Sequence, residues 1–490
     1  MKRLPIFIFF LPFILALLPQ KGNAQFTIGA EFRIRGEFRD GYQSLRDSSK
    51  TPYVTIPGRV RLGFNYKNEK IDTRFSLYDA WVFGQNYTSS DTITKNTVNV
   101  FEAWFQYSFT RSLGLKIGRM TVTYDNQRIM GLSNWSMWGA THDMFLAQFG
   151  QNQKRWWGNI GLAVNNIAPA TAYLNSYDMR NNYKYLGLLY LNCKLFDESL
   201  TLTFLDVMDA FQKYSVTTFV TTTTFDTLYI RNQNDSIIGT TLLPLVKKTS
   251  STENFPNTLY ARNTLGASAG LDFKKWSFFI NGFYQFGNIR DGRSLSSYFY
   301  NLQATFRPWE QVTLMVGWDQ LSGNNFSDTN NLKTTVHGFS TLYGSRHIGY
   351  GYMDLFNNIV KDNLSPGLND LYGRASFSFR NNMSLELTYR WFSIPFRFLS
   401  VTNPGKGQLP YIPVKTSLGS EIDLMYVYKP IPNLELNAAY CFFLPTSTME
   451  ILNKIETGKS KFAQYAYIMI TYKPNLFHSD NRRPPVKEHL

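Results

Sequence analysis

The sequence predicts an all-β transmembrane protein, an antiparallel β-barrel of about 18 strands, and three observations carry that expectation. Apolar and polar residues alternate with a period of two through segment after segment, the pattern of a strand with one greasy and one wet face. Short turns and long connections alternate strictly along the chain, as in barrels with short periplasmic turns and long external loops. After the N-terminal leader, no segment offers the ~20 consecutive apolar residues of a spanning helix.

Taken in order, the chain opens with Met1, Lys2 and Arg3, an apolar run from Leu4 to Leu18, and the small-residue site Gly22, Asn23, Ala24. Residues 1–24 read as a secretory signal cleaved near Ala24. The next segment, FTIGAEFRIRGEFRD, places Phe26, Ile28, Ala30, Phe32, Ile34, Gly36 and Phe38 on one face and Glu31, Arg33, Arg35, Glu37 and Arg39 on the other. The pattern recurs around Arg59 and Arg61, around Arg74, around Glu102, at Lys116, and again from Arg374 to Arg390.

Eight short turns are expected at Lys67–Lys70, Thr110–Ser112, Gly150–Lys154, Phe196–Glu198, Lys274–Lys275, Arg307–Glu310, Asn381–Asn382 and Lys429–Pro432. Nine long connections fall at Asp40–Gly58, Val82–Thr97, Met120–His142, Asn166–Tyr183, Ala210–Ala261, Gly287–Ser296, Leu321–Leu371, Ser393–Leu418 and Leu444–Lys461. Seventeen connections join 18 strands and leave both chain ends on the short-turn side. Within Leu321–Leu371, TVHGFSTLYG and GYMDLFNNIV suit an added strand or helix, and the Thr-rich FVTTTTFDTLYI suits a hairpin reaching beyond the membrane. One barrel accounts for residues 25–473. The tail, residues 474–490, is rich in proline and charge and is expected to be mobile.

The formal net charge is +15; losing Lys2, Arg3 and Lys21 with the signal leaves +12. Such a chain attracts anionic partners, and export makes nucleic acid the least suited of them. Two cysteines, Cys193 and Cys441, do not make a disulfide framework for a chain of this size. The five histidines show no metal-cage or catalytic-triad spacing, and no glycine-rich loop runs into a phosphate-binding lysine. No enzyme, cofactor or metal is expected.

The stretch FEAWFQY followed by LKIGRMTVTYDNQRIMGLSNWSMWGATHDMF resembles the alginate-export family of outer-membrane barrels. The matching residues are Glu102, Ala103, Gly118, Arg119, Arg128, Gly131, Trp135 and Asp143, with RNTLG at Arg262–Gly266, YQFG at Tyr284–Gly287 and WDQLSGN at Trp318–Asn324. Met120, His142 and Asn324 stand where the family pattern has glutamine, an aromatic residue and aspartate. The resemblance runs from about Gly29 to Tyr389 and implies an outer-membrane channel for alginate-like polymer.

Two groups of candidate site residues follow. Arg33, Arg35, Arg39, Arg59, Arg61, Arg74, Glu102 and Lys116 are expected to face the lumen, where an arginine ladder could bind carboxylates or simply neutralise Glu31, Glu37, Asp72 and Glu102. Arg119, Arg128, Trp135 and Asp143 are expected on a loop that folds over or into the pore, with the arginines touching solute or paired to Asp125 or Asp143. Gly118 would relieve crowding where the strand enters that loop. Glu421, Asp423 and Glu435 are expected inward on the other side of the barrel.

The expected function is passive passage of anionic oligosaccharide, polysaccharide or related solutes. Two other readings stay open: a general small-solute porin, and a structural or adhesive barrel acting through its loops. Outer-membrane lipid and lipopolysaccharide surround such a protein, and a periplasmic export partner is left open.

Overall fold

A computed structural model describes residues 24–84, 98–150, 155–165, 183–212, 216–231, 237–253, 258–325, 331–380, 382–396, 399–401, 411–413 and 415–479. The expected signal, residues 1–24, lies outside them apart from Ala24. The barrel begins with β1 (Gln25–Asp40), β2 (Pro57–Lys67), β3 (Ile71–Val82), β4 (Asn99–Ser108), β5 (Leu113–Met120) and β6 (His142–Phe149). It continues through β7 (Trp156–Val164), β8 (Tyr185–Leu195), β9 (Leu200–Gln212), β10 (Leu259–Asp272), β11 (Trp276–Asn288) and β12 (Ser294–Trp309). The last third is β13 (Val312–Leu321), β14 (Leu368–Arg380), β15 (Met383–Ser393), β16 (Ser417–Ile431), β17 (Leu434–Pro445) and β18 (Ala463–Tyr472).

Each strand pairs antiparallel with its sequence neighbour, and β1 pairs with β18 from Phe32↔Tyr472 to Asp40↔Gln464. These 18 strands therefore close into a barrel with no free edge. Both ends of the barrel chain lie on the short-turn side, as the alternation of connections requires.

The period of two sets the polarity. Phe32, Ile34, Phe75, Phe145, Leu162, Val316 and Ile468 face outward and stay exposed, whereas Arg33, Arg35, Glu37, Asn301, Asp319, Thr388 and Glu421 face inward and are buried. A soluble protein would reverse this arrangement; here the outer face suits lipid. Trp156, Trp276 and Trp309 lie exposed at the short-turn ends, and Trp318, Tyr389 and Trp391 toward the other rim. Aromatic rings of this kind sit well at a headgroup boundary.

The lumen is filled from one side. The connections 121–141 and 322–367 both turn inward, and their Met130, Phe339, Met353 and Phe356 pack with Phe299, Phe392, Leu418 and Phe443 of the wall into one apolar cluster. Backbone bonds tie the two connections together: Gly131 N–H donates to Tyr343 O at 3.1 Å, Tyr343 N–H to Ile129 O at 3.1 Å, and Ser345 N–H to Gln127 O at 2.9 Å. Inside the second connection, Thr335–Val336 pair in parallel with Ser294–Leu295, and Asn357–Lys361 form the short helix α1. The two inner motifs thus supply one strand pair and one helix.

Two details depart from the expected boundaries. Gly287–Ser296 is not a long loop: β11 and β12 are joined by Ile289–Arg293, where Asp291 Oδ1 accepts the Arg293 N–H at 3.1 Å and Gly292 takes φ +95°. Asn475–His478 are not free tail but pair with Thr27–Gly29 of β1, and Pro474 O accepts the Ala30 N–H at 3.1 Å across a bulge at Gly29. The Thr-rich segment does form a hairpin, Val216–Arg231 with Ile237–Glu253, in a sheet separate from the barrel.

The outward assignment predicts that Ile468→Arg, at mid-strand on the lipid face and 66% exposed, destabilises the barrel by ~2–4 kcal/mol while Ile468→Phe is tolerated. Urea unfolding in lipid vesicles measures both. Equal midpoints would refute the assignment.

Candidate functional site

Strands β1 and β2 are set by the register Arg33↔Arg59 and Glu31↔Arg61. Because the inward residues alternate, this register brings Arg33, Arg35, Arg59 and Arg61 onto one patch of wall. All four donate to a single five-residue piece of the 121–141 connection. Arg33 Nη1 reaches Asn134 O at 2.7 Å, Arg35 Nη1 reaches Trp135 O at 2.9 Å, and Arg59 Nη1 reaches Ser136 O at 3.0 Å and Met137 O at 3.2 Å. Arg61 donates to Asn134 Oδ1 at 3.2 Å and to Trp138 O at 3.1 Å.

Carboxylates satisfy only part of this charge. Glu31 accepts from Arg59 and lies 3.8 Å from Arg33, Glu37 accepts from Arg35 and Arg39, and Glu102 pairs with Arg74 at 2.6 Å. Among the described residues Arg61 forms no close carboxylate pair; its guanidinium carbon lies 3.6 Å over the Phe101 ring. Six arginines on β1–β3 therefore face four acids, Glu31, Glu37, Asp72 and Glu102, with Asp72 taken by Lys67 at 3.5 Å, and backbone carbonyls take up much of the remaining donor capacity. Lys116, also inward, sits 3.6 Å over the Trp104 ring.

Trp135 joins both walls of this patch. Arg35 lies 3.7 Å over one side of its ring, His347 stacks on it at 3.8 Å with planes 6° apart, and its Nε1–H donates to Tyr42 Oη at 3.2 Å. Tyr42 donates to Asp354 Oδ2, and Asp354 Oδ1 lies 2.9 Å from His347 Nδ1. Three separate connections thus meet at one indole.

The same 121–141 connection is anchored across the lumen. Asp125 accepts from Tyr190 at 2.9 Å, Thr203 at 3.1 Å and Ser268 at 3.3 Å, while Asn126 donates to Asn301 Oδ1 at 3.0 Å. Burial raises the Asp125 carboxyl above its usual range, against the three hydroxyl donors. The connection is a beam from β8–β12 at one end to β1–β2 at the other.

Two cavities flank the beam's Asn134–Trp138 end. The outer one, about 650 Å³, is lined by Arg39, Tyr42, Trp135, Trp138, Arg346 and His347 among others. The inner one, about 380 Å³, lies toward the short turns against Glu31, Arg61, Asn65, Arg74, Lys473 and Asn475. Arg346 donates to Thr341 Oγ1 and Leu342 O, and desolvation lowers its guanidinium from the usual arginine range.

The remaining candidates sit apart from this patch. Arg119 and Asp143 form a bidentate pair, 2.8 Å on both arms, at outward strand positions in line with Ile117 and Phe145. They stand on the outer wall at the loop rim. Arg128 is buried in the beam and pairs with Asp319 of β13 at 2.6 Å, where the carboxylate outweighs desolvation and raises the guanidinium. Neither arginine pairs with Asp125. Glu435 lies near the short-turn side, with Lys429 at 3.5 Å.

An acidic wall was only partly anticipated. Besides Glu421 and Asp423, it includes Asp319, Asp370 paired with Arg390, and Asp209 paired with Arg262. Each has inward parity next to an outward apolar residue, as Asp319 follows Trp318, Asp370 precedes Leu371 and Asp209 follows Met208, so the period of two carries the signal. Glu421 Oε1 accepts the Met353 N–H at 2.9 Å and Arg390 Nη1 donates to Gly349 O at 3.0 Å, fastening the 322–367 connection. His347 and Tyr42 had no such signal, because loop contacts follow no period.

A family model for alginate export matches residues 24–445, so the chain belongs to the alginate export family, and its barrel is of the outer-membrane kind. No curated protein matches the sequence. Among solved structures, OccAB4 of Acinetobacter baumannii is similar at a TM-score of 0.54 and 8% identity, covering 91% of this chain and 98% of that one. A BenF-like porin from Pseudomonas fluorescens Pf-5 aligns at 0.55 and 10%, covering 92% and 99%. Pseudomonas aeruginosa OccK2 (OpdF), solved in complex with glucuronate, aligns at 0.53 and 10%, covering 92% and 98%. At these identities the likeness concerns fold.

Gly118, where β5 enters the beam, has φ +124°, and a Cβ there would lie 2.2 Å from Ala103 O. Gly118→Ala should therefore destabilise the barrel by roughly 1–3 kcal/mol, measured as a lowered urea midpoint. An unchanged midpoint would show that the strand end relaxes freely.

Proposed function

We propose that this chain is an outer-membrane channel for passive passage of anionic solutes, with carboxylate-bearing oligosaccharide or polysaccharide as the leading substrate class. The observation that carries the reading is the set of four guanidinium groups, Arg33, Arg35, Arg59 and Arg61, converging on one constriction whose acids are outnumbered. Guanidinium forks match carboxylates in shape and charge, and a row of such sites passes an ion from one contact to the next. Arg39, Arg74 and Lys116 extend the basic wall toward the two rims. The family's alginate connection and the glucuronate bound to one structural neighbour support an acidic sugar.

The same reading makes the protein a channel and not an enzyme, with no cofactor or metal ion and no nucleic-acid partner. Lipopolysaccharide would surround the long-loop rim, and a periplasmic partner would meet the short-turn side. A general porin for small solutes is the second reading. The acidic wall at Asp319, Asp370, Glu421 and Asp423 favours it, because a lumen with both signs of charge admits small ions of either kind.

Reversal potentials in planar bilayers test the proposal. The parent should prefer anions, and the preference should fall from 0.1 M to 1 M salt as the Debye length shrinks from ~10 Å to ~3 Å. Arg35→Ala with Arg61→Ala should reduce anion preference and block by acidic oligosaccharide, while leaving the barrel folded. A parent without anion preference, or a double variant that keeps it in full, would overturn the reading.

A further inference from the structure

The Asn134–Trp138 segment is hung differently from the rest of the beam. Ala140 N–H donates to Leu132 O at 2.8 Å, closing a neck, and residues 133–139 form a small lobe beyond it. Ser133 and Gly139, at the two sides of the neck, take φ +49° and +75°. The lobe is compact by itself: Ser136 N–H donates to Ser133 O at 3.1 Å, and Ser136 Oγ accepts from Trp138 N–H at 3.1 Å and Gly139 N–H at 3.0 Å. Closed-neck loops of this size are self-contained surface units. Such a unit can shift without unravelling the beam, whose far end stays fixed at Asp125 and Asn126.

What binds the lobe to the wall is also unusual. Arg33, Arg35, Arg59 and Arg61 donate to neutral oxygens of this lobe, five backbone carbonyls and the Asn134 side chain. A carboxylate is the stronger acceptor, because hydrogen bonds with an ionised partner are about twice as strong as neutral ones. Resting on the anion-channel reading, we infer that the 133–139 lobe is a latch that carboxylate solutes displace: the solute's carboxylate takes the guanidinium groups that the lobe's carbonyls occupy. The lobe then swings about its neck with Trp135 leaving Arg35, His347 and Tyr42, joins the two cavities, and returns when the solute leaves.

The proposal separates two jobs at the constriction. Arg59 is fully buried and Arg33 and Arg35 nearly so; buried guanidinium groups left without acceptors would be costly. Glu31 and Glu37 satisfy part of this demand, and the lobe supplies the remaining acceptors while no solute is bound. A solute without negative charge gives the arginines nothing better and leaves the latch closed.

Met137, 7% exposed within the lobe, provides the test. In full-length protein carrying Cys193→Ser and Met137→Cys, with the fully buried Cys441 retained, labelling by a water-soluble maleimide is timed with and without galacturonate. Galactose at equal concentration and sodium chloride at matched ionic strength are the controls. The labelling rate should rise several-fold with galacturonate alone. Equal rates in all three solutions, or an equal rise with galactose or chloride, would overturn the latch.

Single-channel recording on the unsubstituted protein gives the same answer without relying on either variant. At constant chloride, galacturonate should raise the frequency of full openings and galactose should not. Anion preference in the reversal potential, measured on the same membranes, tells the two ideas apart. If it is present but openings ignore galacturonate, the latch fails and the channel reading stands; if it is absent, both fail.

Discussion

Every feature of this protein depends on one constraint: a sheet that faces lipid has no water to satisfy an open edge. The β1–β18 pairing from Phe32↔Tyr472 to Asp40↔Gln464 meets it by making the last strand the neighbour of the first. Closure in turn forces half of each strand's side chains into an enclosed space. That space must then accommodate the polar residues that lipid excludes, and the rest of the structure answers that requirement.

The lumen accommodates them by sorting charge between walls and filling the middle with chain. Arginines gather on β1–β3, while Asp209, Asp319, Asp370, Glu421 and Asp423 stand on β9, β13, β14 and β16. Each wall recruits a connection of suitable polarity. The basic wall takes backbone carbonyls from Asn134–Trp138; the acidic wall takes Arg128 from the beam and the Met353 N–H from the 322–367 connection. Polar walls alone would hold these connections loosely. The apolar cluster of Met130, Phe339, Met353 and Phe356 makes the inward fold favourable, since it removes large side chains from water inside the barrel.

The wall was largely legible in the sequence and the filling was not. Period-two alternation placed Arg33, Arg35, Arg59 and Arg61 inward because a strand's geometry dictates side-chain direction residue by residue. It also gave the strand number, since turn residues such as Asn68, Thr110 and Asn382 punctuate the chain where short turns occur. Loops have no period. Nothing in the order of residues announces that Trp135 stacks on His347, more than two hundred positions away, or that Arg128 seeks Asp319 and not Asp125. The brief turn at Ile289–Arg293 read as a long loop for a related reason: its flanking residues, Gly287, Asn288 and Ser294, have loop-like chemistry although the strands run to Asn288 and from Ser294.

The two anchorages of the beam differ in what could exchange with them. At Asp125 an acceptor with raised proton affinity meets three neutral hydroxyls, and an incoming anion has no free cation there to claim. At Asn134–Trp138 the polarity is reversed: fixed cations on the wall meet neutral oxygens on the loop. An anion competes with the loop only at this second end. The distribution of charge between wall and loop, more than the number of hydrogen bonds, therefore makes one end of the beam a fixed support and the other an exchangeable contact.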